Sequence, residues 1–505
     1  MTQDATTPEP TTEPQAVEPA TPERSSATAM PAEPAGGLLE RLFRLSERGT
    51  TWGREVRGGL VTFVTISYIL VLNPLIIGGQ NAPDVEGGIL EQAQVASATA
   101  LAAGVLTILF GLVANLPFAL AAGLGINSFL AVSMVKDLTW PEAMGLVLIN
   151  GLIIVLLGAT GARTAIFHAI PAALKSAITV GIGFFIAFIG LVDAGFVTRT
   201  PAGPPVQLGQ DGSIATIPAL IFVITLVIMG ILIARRVPGA ILIGIAVGTV
   251  LALIAEATLH LGPSVDNPAG WSLTVPALPG SIVAVPDFSL VGAVDPVGAF
   301  SRVGPLAALM LLLTLVFMNF FDAMGAMTGL ARKTEVAYED GTFPRMRQAF
   351  IVEGLGAVVG GATSSSSNTV YVDSASGIGE GARTGLASVV TGLLFLAAIF
   401  LTPLALIVPL EVGAAALVVV GAMMMGEVAE IEWSDFAVAL PAFLTIATMP
   451  LTYSIANGIG IGFIAWVLIN VAAGRAKRIH WLLWLVAAGF VLFFARGPIA
   501  ALLAG

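Results

Sequence analysis

The sequence has no cysteine, only three histidines and few charges for its 505 residues. Without thiols it can form no disulfide, no thiol nucleophile and no cysteine-bearing metal site. His168, His260 and His480 are far apart in the chain, so a histidine metal cluster is not expected. Neither HExxH nor GxSxG occurs, and no nucleophile–base set stands out, so the reading is of a chain that is not an enzyme and holds no metal or cofactor. Charged residues make up 11%, against roughly 25% in a soluble domain. An ordinary water-soluble globular protein is thereby excluded.

What is present is apolar. Hydrophobic residues make up 56%, mean hydropathy is +0.93, and runs near 20 residues recur. This pattern predicts an all-α polytopic membrane protein whose first partner is the lipid bilayer. Segments are read near 58–78, 93–115, 117–134, 141–161, 173–195, 216–234 and 237–257. After a Pro-rich polar stretch over 259–300, they resume near 303–330, 347–361, 366–378, 384–404, 411–426, 433–451 and 453–474. That makes about fourteen transmembrane segments. A further run, 480–496, fits either an extra span or an interfacial helix, with Trp481, Trp484 and Arg496 suited to both. Residues 1–37, rich in Pro, Thr, Ala and Glu, read as a disordered tail. An amphipathic, basic lead-in segment follows over 38–57.

Basic residues set the orientation. Arg41, Arg44, Arg48, Arg54 and Arg57 precede the first span, and Arg163, Lys175, Arg235, Arg236, Arg332, Lys333, Arg345, Arg347, Arg475, Lys477 and Arg478 follow alternate ones. The segment 79–92 and the stretch 259–300 carry no Lys or Arg. The positive-inside rule then predicts a cytoplasmic N-terminus in the plasma (inner) membrane. The net charge of −10 belongs largely to the tail and loops, and no nucleic-acid partner is expected.

The most informative residues are polar ones in apolar surroundings. Asp322 lies inside LLLTLVFMNFFDAMGAMTGL, and Asp373 follows about fifty residues later in GGATSSSSNTVYVDSASGIGEGARTG. A carboxylate at membrane depth costs a few kcal/mol. A row of Ser, Thr and Asn competes with helical backbone bonds, so it marks a broken segment lining a protected site. The two halves are also weakly alike. Gly183 lies twelve residues after Pro171, and Gly421 twelve after Pro409. The third segment carries AAGLGINSFL (Ala121 to Leu130), and the tenth carries SSSSNTVYVD (Ser364 to Asp373). Seven segments per half is an odd number, so the halves must be inverted, and paired short, broken segments point to a transport site between such repeats.

At these residues the chain resembles the nucleobase–cation symporter-2 (xanthine/uracil permease) superfamily, in its AzgA-like adenine/guanine/hypoxanthine permease branch. The matching stretches are RGTTWGREVRGGLVTFVTISYILVLNP (Arg48 to Pro74), GLGINSFLA (Gly123 to Ala131), NFFDAMGAMTGLA (Asn319 to Ala331), DSASGIGEGARTGLASVVTGLLF (Asp373 to Phe395) and PAFLTIATMPLTYSIANGIGIGF (Pro441 to Phe463). The resemblance implies fourteen spans in two inverted repeats of seven. A core domain would comprise 58–162 (spans 1–4) and 301–404 (spans 8–11). A gate domain would comprise 163–258 (spans 5–7) and 405–474 (spans 12–14). An extracytoplasmic connection over 259–300 would join the halves, and 475–505 would form a C-terminal hydrophobic segment and tail. Spans 3 and 10 would be half helices preceded by short strands. The implied activity is import of purine bases by proton symport through an elevator motion, with a homodimer as a partner arrangement. Another nucleobase, a small anion, or sodium as the coupling ion are the alternatives.

The resemblance places Asn127 at the substrate, with Phe129 as a stacking candidate. The branch has acids at the positions of both Asn319 and Asp322; here the first is an amide, able to donate and accept but not to carry a proton. Asp373 stands where the branch has Glu, one methylene shorter. Substrate-binding candidates are therefore Asn127, Asn319, Asp322, Asp373, Phe129 and Asn368, and proton-coupling candidates are Asp322, Asp373 and Glu353. Ser365, Ser366, Ser367 and Thr369 line the site or satisfy the broken backbone. Phe320, Phe321 and Tyr371 are further stacking candidates. Glu380 and Arg383 are expected as a structural ion pair. Gly123, Gly125, Gly325 and Gly329 are expected to allow tight packing around the site.

Overall fold

The computed structural model describes residues 37–162, 169–200, 205–209, 212–214, 216–338 and 342–495. The readings made above for 1–36, Arg163, His168 and 496–505 fall outside these residues. Among the described residues, ten helices are long and apolar enough to cross a membrane. They are span 1 (Trp52–Ile77), span 2 (Gln92–Ala114), span 4 (Trp140–Thr160), span 5 (Ala172–Asp193), span 6 (Ile217–Ala234), span 7 (Ala240–Leu259), span 8 (Pro305–Lys333), span 11 (Gly385–Leu406), span 12 (Leu410–Glu430) and span 14 (Ile455–Ala472). The shorter helices Met346–Ala362 and Phe436–Leu451 are spans 9 and 13. Spans 3 and 10 are broken, and they complete a set of fourteen.

Local chemistry sets the helix starts. Thr139 and Glu142 form a reciprocal capping box at span 4, and Thr216, Asp435 and Ser454 accept backbone N–H groups at spans 6, 13 and 14. Span 1 breaks at Ser67 and Tyr68. There the Thr65 and Ser67 hydroxyls bond back to carbonyls three and four residues earlier, loosening the helix.

The packing repeats under exchange of each span with the one seven later. Span 2 packs on span 11 and on span 9, span 4 on span 9, and span 5 on span 12. Span 1 packs on span 11 as span 8 packs on span 4, and span 6 on span 12 as span 13 packs on span 5. Gly183 and Gly421, matched only by spacing in the sequence, meet where spans 5 and 12 cross. A Cβ on either would run into the other's carbonyl oxygen, so small residues let the two backbones touch. The chain is thus a 7+7 inverted repeat.

The helix Trp481–Phe494 is 14 residues long, rising roughly 21 Å, short of the roughly 30 Å hydrocarbon core. It lies along span 14, with Phe490 against Gly460, and places Gly489 beside Met310 of span 8. The lead-in helix Leu38–Phe43 exposes Leu39 and Leu42 and buries Phe43 with Leu45 against Leu386 of span 11.

Candidate functional site

The two broken spans meet at their strands. Leu120–Ala122 of span 3 pairs antiparallel with Asn368–Val370 of span 10, in the register Leu120↔Val370, Ala121↔Thr369 and Ala122↔Asn368. The ladder extends at one end by Gly123 N–H to the Ser367 carbonyl (2.9 Å) and at the other by Tyr371 N–H to the Ala119 carbonyl (3.0 Å). Short helices then lead away from the strands, Leu124–Phe129 with a π turn over Leu130–Met134, and Ala375–Gly379 after a 3-10 turn at Val372–Ser374. Non-helical backbone at this depth is tolerated because protein groups satisfy it. The Thr107 hydroxyl bonds Leu120, and the Ser374 hydroxyl accepts the Ala119 N–H. Ser364 and Ser366 take left-handed φ values of 54° and 70° in the serine turn. The Asn73 amide holds that turn through the Ser365 carbonyl at 3.0 Å.

Strand alternation assigns the side chains of span 10. The Thr369 hydroxyl donates to Asp322 Oδ2 at 3.0 Å, joining span 10 to the middle of span 8. Asn368 faces the other way. Its Nδ2 donates to Ser365 Oγ (3.3 Å) and the Ser366 carbonyl (3.2 Å), and it packs against Gly356 and Gly360 of span 9. Asn368 is therefore held within the span 9 contact, while Thr369, grouped in the sequence with the serine row, is the strand residue that touches a site carboxylate.

Asp322 is enclosed by buried residues on its own helix yet itself exposed. Gly325 and Gly329, one and two turns on, are also exposed, and a Cβ at either would meet nothing within 4 Å. This corrects the expectation that both pack tightly; with Asp322 they form an exposed stripe along one face of span 8. Gly123 and Gly125 do pack closely, against Thr369 and against Ile182 of span 5.

Asp373 Oδ2 accepts the hydroxyl of Tyr68 at 3.4 Å, from the break in span 1. Tyr371 spends its own hydroxyl on the Ala122 carbonyl at 2.5 Å. Asn127 and Asn319 are fully buried, and neither amide has a hydrogen-bond partner on its N or O atom. Buried amides left so are costly, and each can both donate and accept. The strand register holds spans 3 and 10 together and the Thr369–Asp322 bond joins them to span 8; the half helix of span 3 carries one unpaired amide, Asn127, and span 8 carries the other, Asn319, one turn before Asp322.

Other expected residues fall elsewhere. Phe129 is buried and lines a separate crevice of about 280 Å³ with Ser133, Asp137, Leu311, Ser454 and Asn457. Phe320 and Phe321 are buried, and Phe321 stacks on Phe317 at 6.0 Å. Glu353 is wholly buried in span 9 beside Gly354, whose backbone abuts Val155 of span 4. The expected Glu380–Arg383 pair is not formed. Glu380 pairs with Arg57 at 2.6 Å, and the Arg383 guanidinium donates to the carbonyls of Ile378 and Ala382. Glu55, which the sequence reading passed over, accepts the N–H groups of Arg383, Thr384 and Ala387 at the start of span 11. Tyr68 was also passed over; the only signal was its place in the SYILVLNP run.

A family model described as Permease family (Xan_ur_permease) matches residues 53–461, which include every residue of this site. The chain belongs to that family. It is 36% identical over 463 residues to the guanine/hypoxanthine permease PbuG of Bacillus subtilis, covering 90% of this chain and 99% of that one. It is 36% identical over 459 residues to the adenine permease AdeP of Escherichia coli (90% and 96%), and 37% identical over 459 residues to a putative permease of Methanocaldococcus jannaschii (90% and 98%). Among solved structures, the transmembrane domain of a cyanobacterial bicarbonate transporter, BicA, aligns with TM-score 0.56 at 16% identity, over 80% of this chain and 97% of that one. SLC26A9 aligns with TM-score 0.58 at 13% identity, over 83% and 65%. These two share the inverted-repeat fold. Membership in the family assigns this permease to transport rather than catalysis, and the apolar helices make it a multi-pass membrane protein.

Proposed function

We propose that this permease imports purine nucleobases by proton symport, holding the base between spans 3, 8 and 10. The observation that carries the reading is the Thr369–Asp322 junction. An exposed carboxylate sits mid-span, joined to the strand at which the two broken segments meet, in a chain whose relatives are named for guanine, hypoxanthine and adenine. Asn127, Asn319 and the two carboxylates would read the polar edges of a flat base, and Asn368 would support them from the strand. Asp322 is the first choice to take the coupled proton, with Asp373 and Glu353 behind it. A neutralised carboxylate would let the loaded site move through the membrane.

Spans 1–4 and 8–11 would form the moving core and spans 5–7 and 12–14 the gate, a division supported by their packing among themselves. The N-terminus would lie in the cytoplasm and the chain in the plasma membrane, as supported by the run of arginines before span 1. A homodimer completes the proposal and is tested by the mass of the particle in detergent. An anion, as the word bicarbonate in one structural neighbour invites, is opposed by the two carboxylates at the junction.

The test is uptake of labelled adenine, guanine, hypoxanthine, xanthine and uracil into proteoliposomes, with and without an inward proton gradient. Gradient-driven accumulation of one or more purines is expected. Uptake of bicarbonate or sulfate with no base transported would overturn the reading.

A further inference from the structure

The chain contains four tyrosines, and two of them, Tyr68 and Tyr371, meet at the junction of the broken spans with ring centroids 6.4 Å apart. Their hydroxyls do different things. Tyr371 is tied to the Ala122 carbonyl and so braces the strand pair. Tyr68 is 1% exposed, stands at the break of span 1, and reaches Asp373 Oδ2. Tyr68 stands in the two-residue interruption between Trp52–Ile66 and Ile69–Ile77, and its ring lies against span 10. The Thr65 hydroxyl, one turn before, also touches the Asp373 carbonyl at 3.5 Å, so span 1 grips this residue by both backbone and side chain.

A carboxylate has two oxygens. The Tyr68 phenol, held in the core, takes one acceptor position on Oδ2 and leaves the carboxylate further acceptor positions for another donor. We propose that Tyr68 is a specificity-determining residue of this permease: by taking one acceptor position of Asp373 it fixes the direction from which the carboxylate accepts an N–H of the base. The proposal rests on the purine reading above and adds a residue and a geometric rule to it. The rule has a consequence for side-chain length. A Glu at position 373 would carry its carboxylate about 1.5 Å further, past the reach of a hydroxyl already at 3.4 Å, and would meet the base without that restraint. The aspartate and the tyrosine therefore act as a unit, and the rank order of accepted bases follows from the pair rather than from the acid alone.

The experiment compares wild type, Tyr68→Phe, Asp373→Glu and the double variant in proteoliposomes, measuring KM and kcat for the best base and competition by the other purines. Tyr68→Phe keeps the ring and its packing. It is expected to raise KM severalfold, because the Asp373 carboxylate loses the hydroxyl that orients it, with kcat nearly unchanged and the rank order of competitors altered. Asp373→Glu is expected to alter the rank order in the wild-type background and to change little further once Tyr68 is Phe. Unchanged KM and rank order in Tyr68→Phe would overturn the assignment, as would fully additive effects in the double variant. If Tyr68→Phe does not reach the membrane, Asp373→Glu decides alone, since an unchanged rank order there overturns the pairing. No base taken up by the wild type would instead overturn the purine reading, and this inference with it.

Discussion

The Lys136 ammonium lies 5.2 Å from the centroid of the Tyr453 ring. Lys136 follows the broken span 3, and Tyr453 joins spans 13 and 14 in a left-handed backbone conformation, φ 52°. Phe185 and Phe188 of span 5 hold the same ring edge-on, at 5.7 and 6.1 Å. The contact therefore ties the end of span 3 to the turn between spans 13 and 14, against span 5.

Weakening that bridge is expected to open the Lys136 end. A cation–π contact at an exposed site contributes roughly 0.5–1 kcal/mol, a two- to fivefold change in a two-state population. Because the chain has no cysteine, a single cysteine at Ser133 is a clean reporter. Tyr453→Leu should raise its labelling by an impermeant maleimide about two- to fivefold, and equal labelling rates would remove the bridge from the gating account.

The two substitutions at the span 8–span 10 junction should separate. Thr369→Val removes the donor to Asp322 while keeping the β-branched shape, and is expected to cost roughly 10- to 100-fold in kcat/KM, the range for a bond to a charged group. Asp322→Asn should reach the membrane in normal amount yet lose accumulation driven by a pH gradient. Uphill uptake persisting in that variant would pass the coupling role to Asp373 or Glu353.

Asn368 sits one residue from Thr369 but on the opposite face of the strand. Asn368→Ala leaves the Ser366 carbonyl without its amide donor, while Ser365 keeps Thr363, so thermal stability should fall by roughly 1–3 kcal/mol. If instead KM rises with the melting temperature held, the amide reaches the base directly.

Gly421→Ala should destabilise the span 5–span 12 crossing by about 1–3 kcal/mol, the usual cost of overpacking, since its Cβ would strike the Gly183 carbonyl. Gly325→Ala meets open space and should leave the melting temperature unchanged or slightly raised. A melting series of the two in one detergent checks the contrast.

Asp435 caps span 13 and pairs with Arg475, and the Arg475 hydrogen bond and the Ala437 N–H hold its pKa below the usual carboxylate value. A depressed folded-state pKa contributes stability above the unfolded value that is lost as pH falls through the folded one. Melting temperature should therefore decline on acidification through the carboxylate range, and Asp435→Asn should flatten that limb. An identical profile in both proteins would show that the pair contributes nothing.

Composition and apolar run length by themselves determined the membrane class and almost every span, because lipid accepts only segments that satisfy their own backbone and hide few charges. The broken spans were legible for the same reason: AAGLGINSFL and SSSSNTVYVD could not be ordinary lipid-crossing helices. Asp322 and Asp373 were legible because a carboxylate in an apolar run has no cheap explanation. The sequence could not decide which neighbour each polar group meets. Asn368 and Thr369 are adjacent in the chain, and only the strand register sends one to span 9 and the other to Asp322. Glu380 and Arg383 are close in sequence, yet Glu380 pairs with Arg57 and Arg383 with carbonyls, because the turn at Gly381 separates them. Tyr68 reaches Asp373 across 305 residues of chain. Contacts of that separation are set by how the two inverted halves close on each other, and no local pattern of residues encodes them.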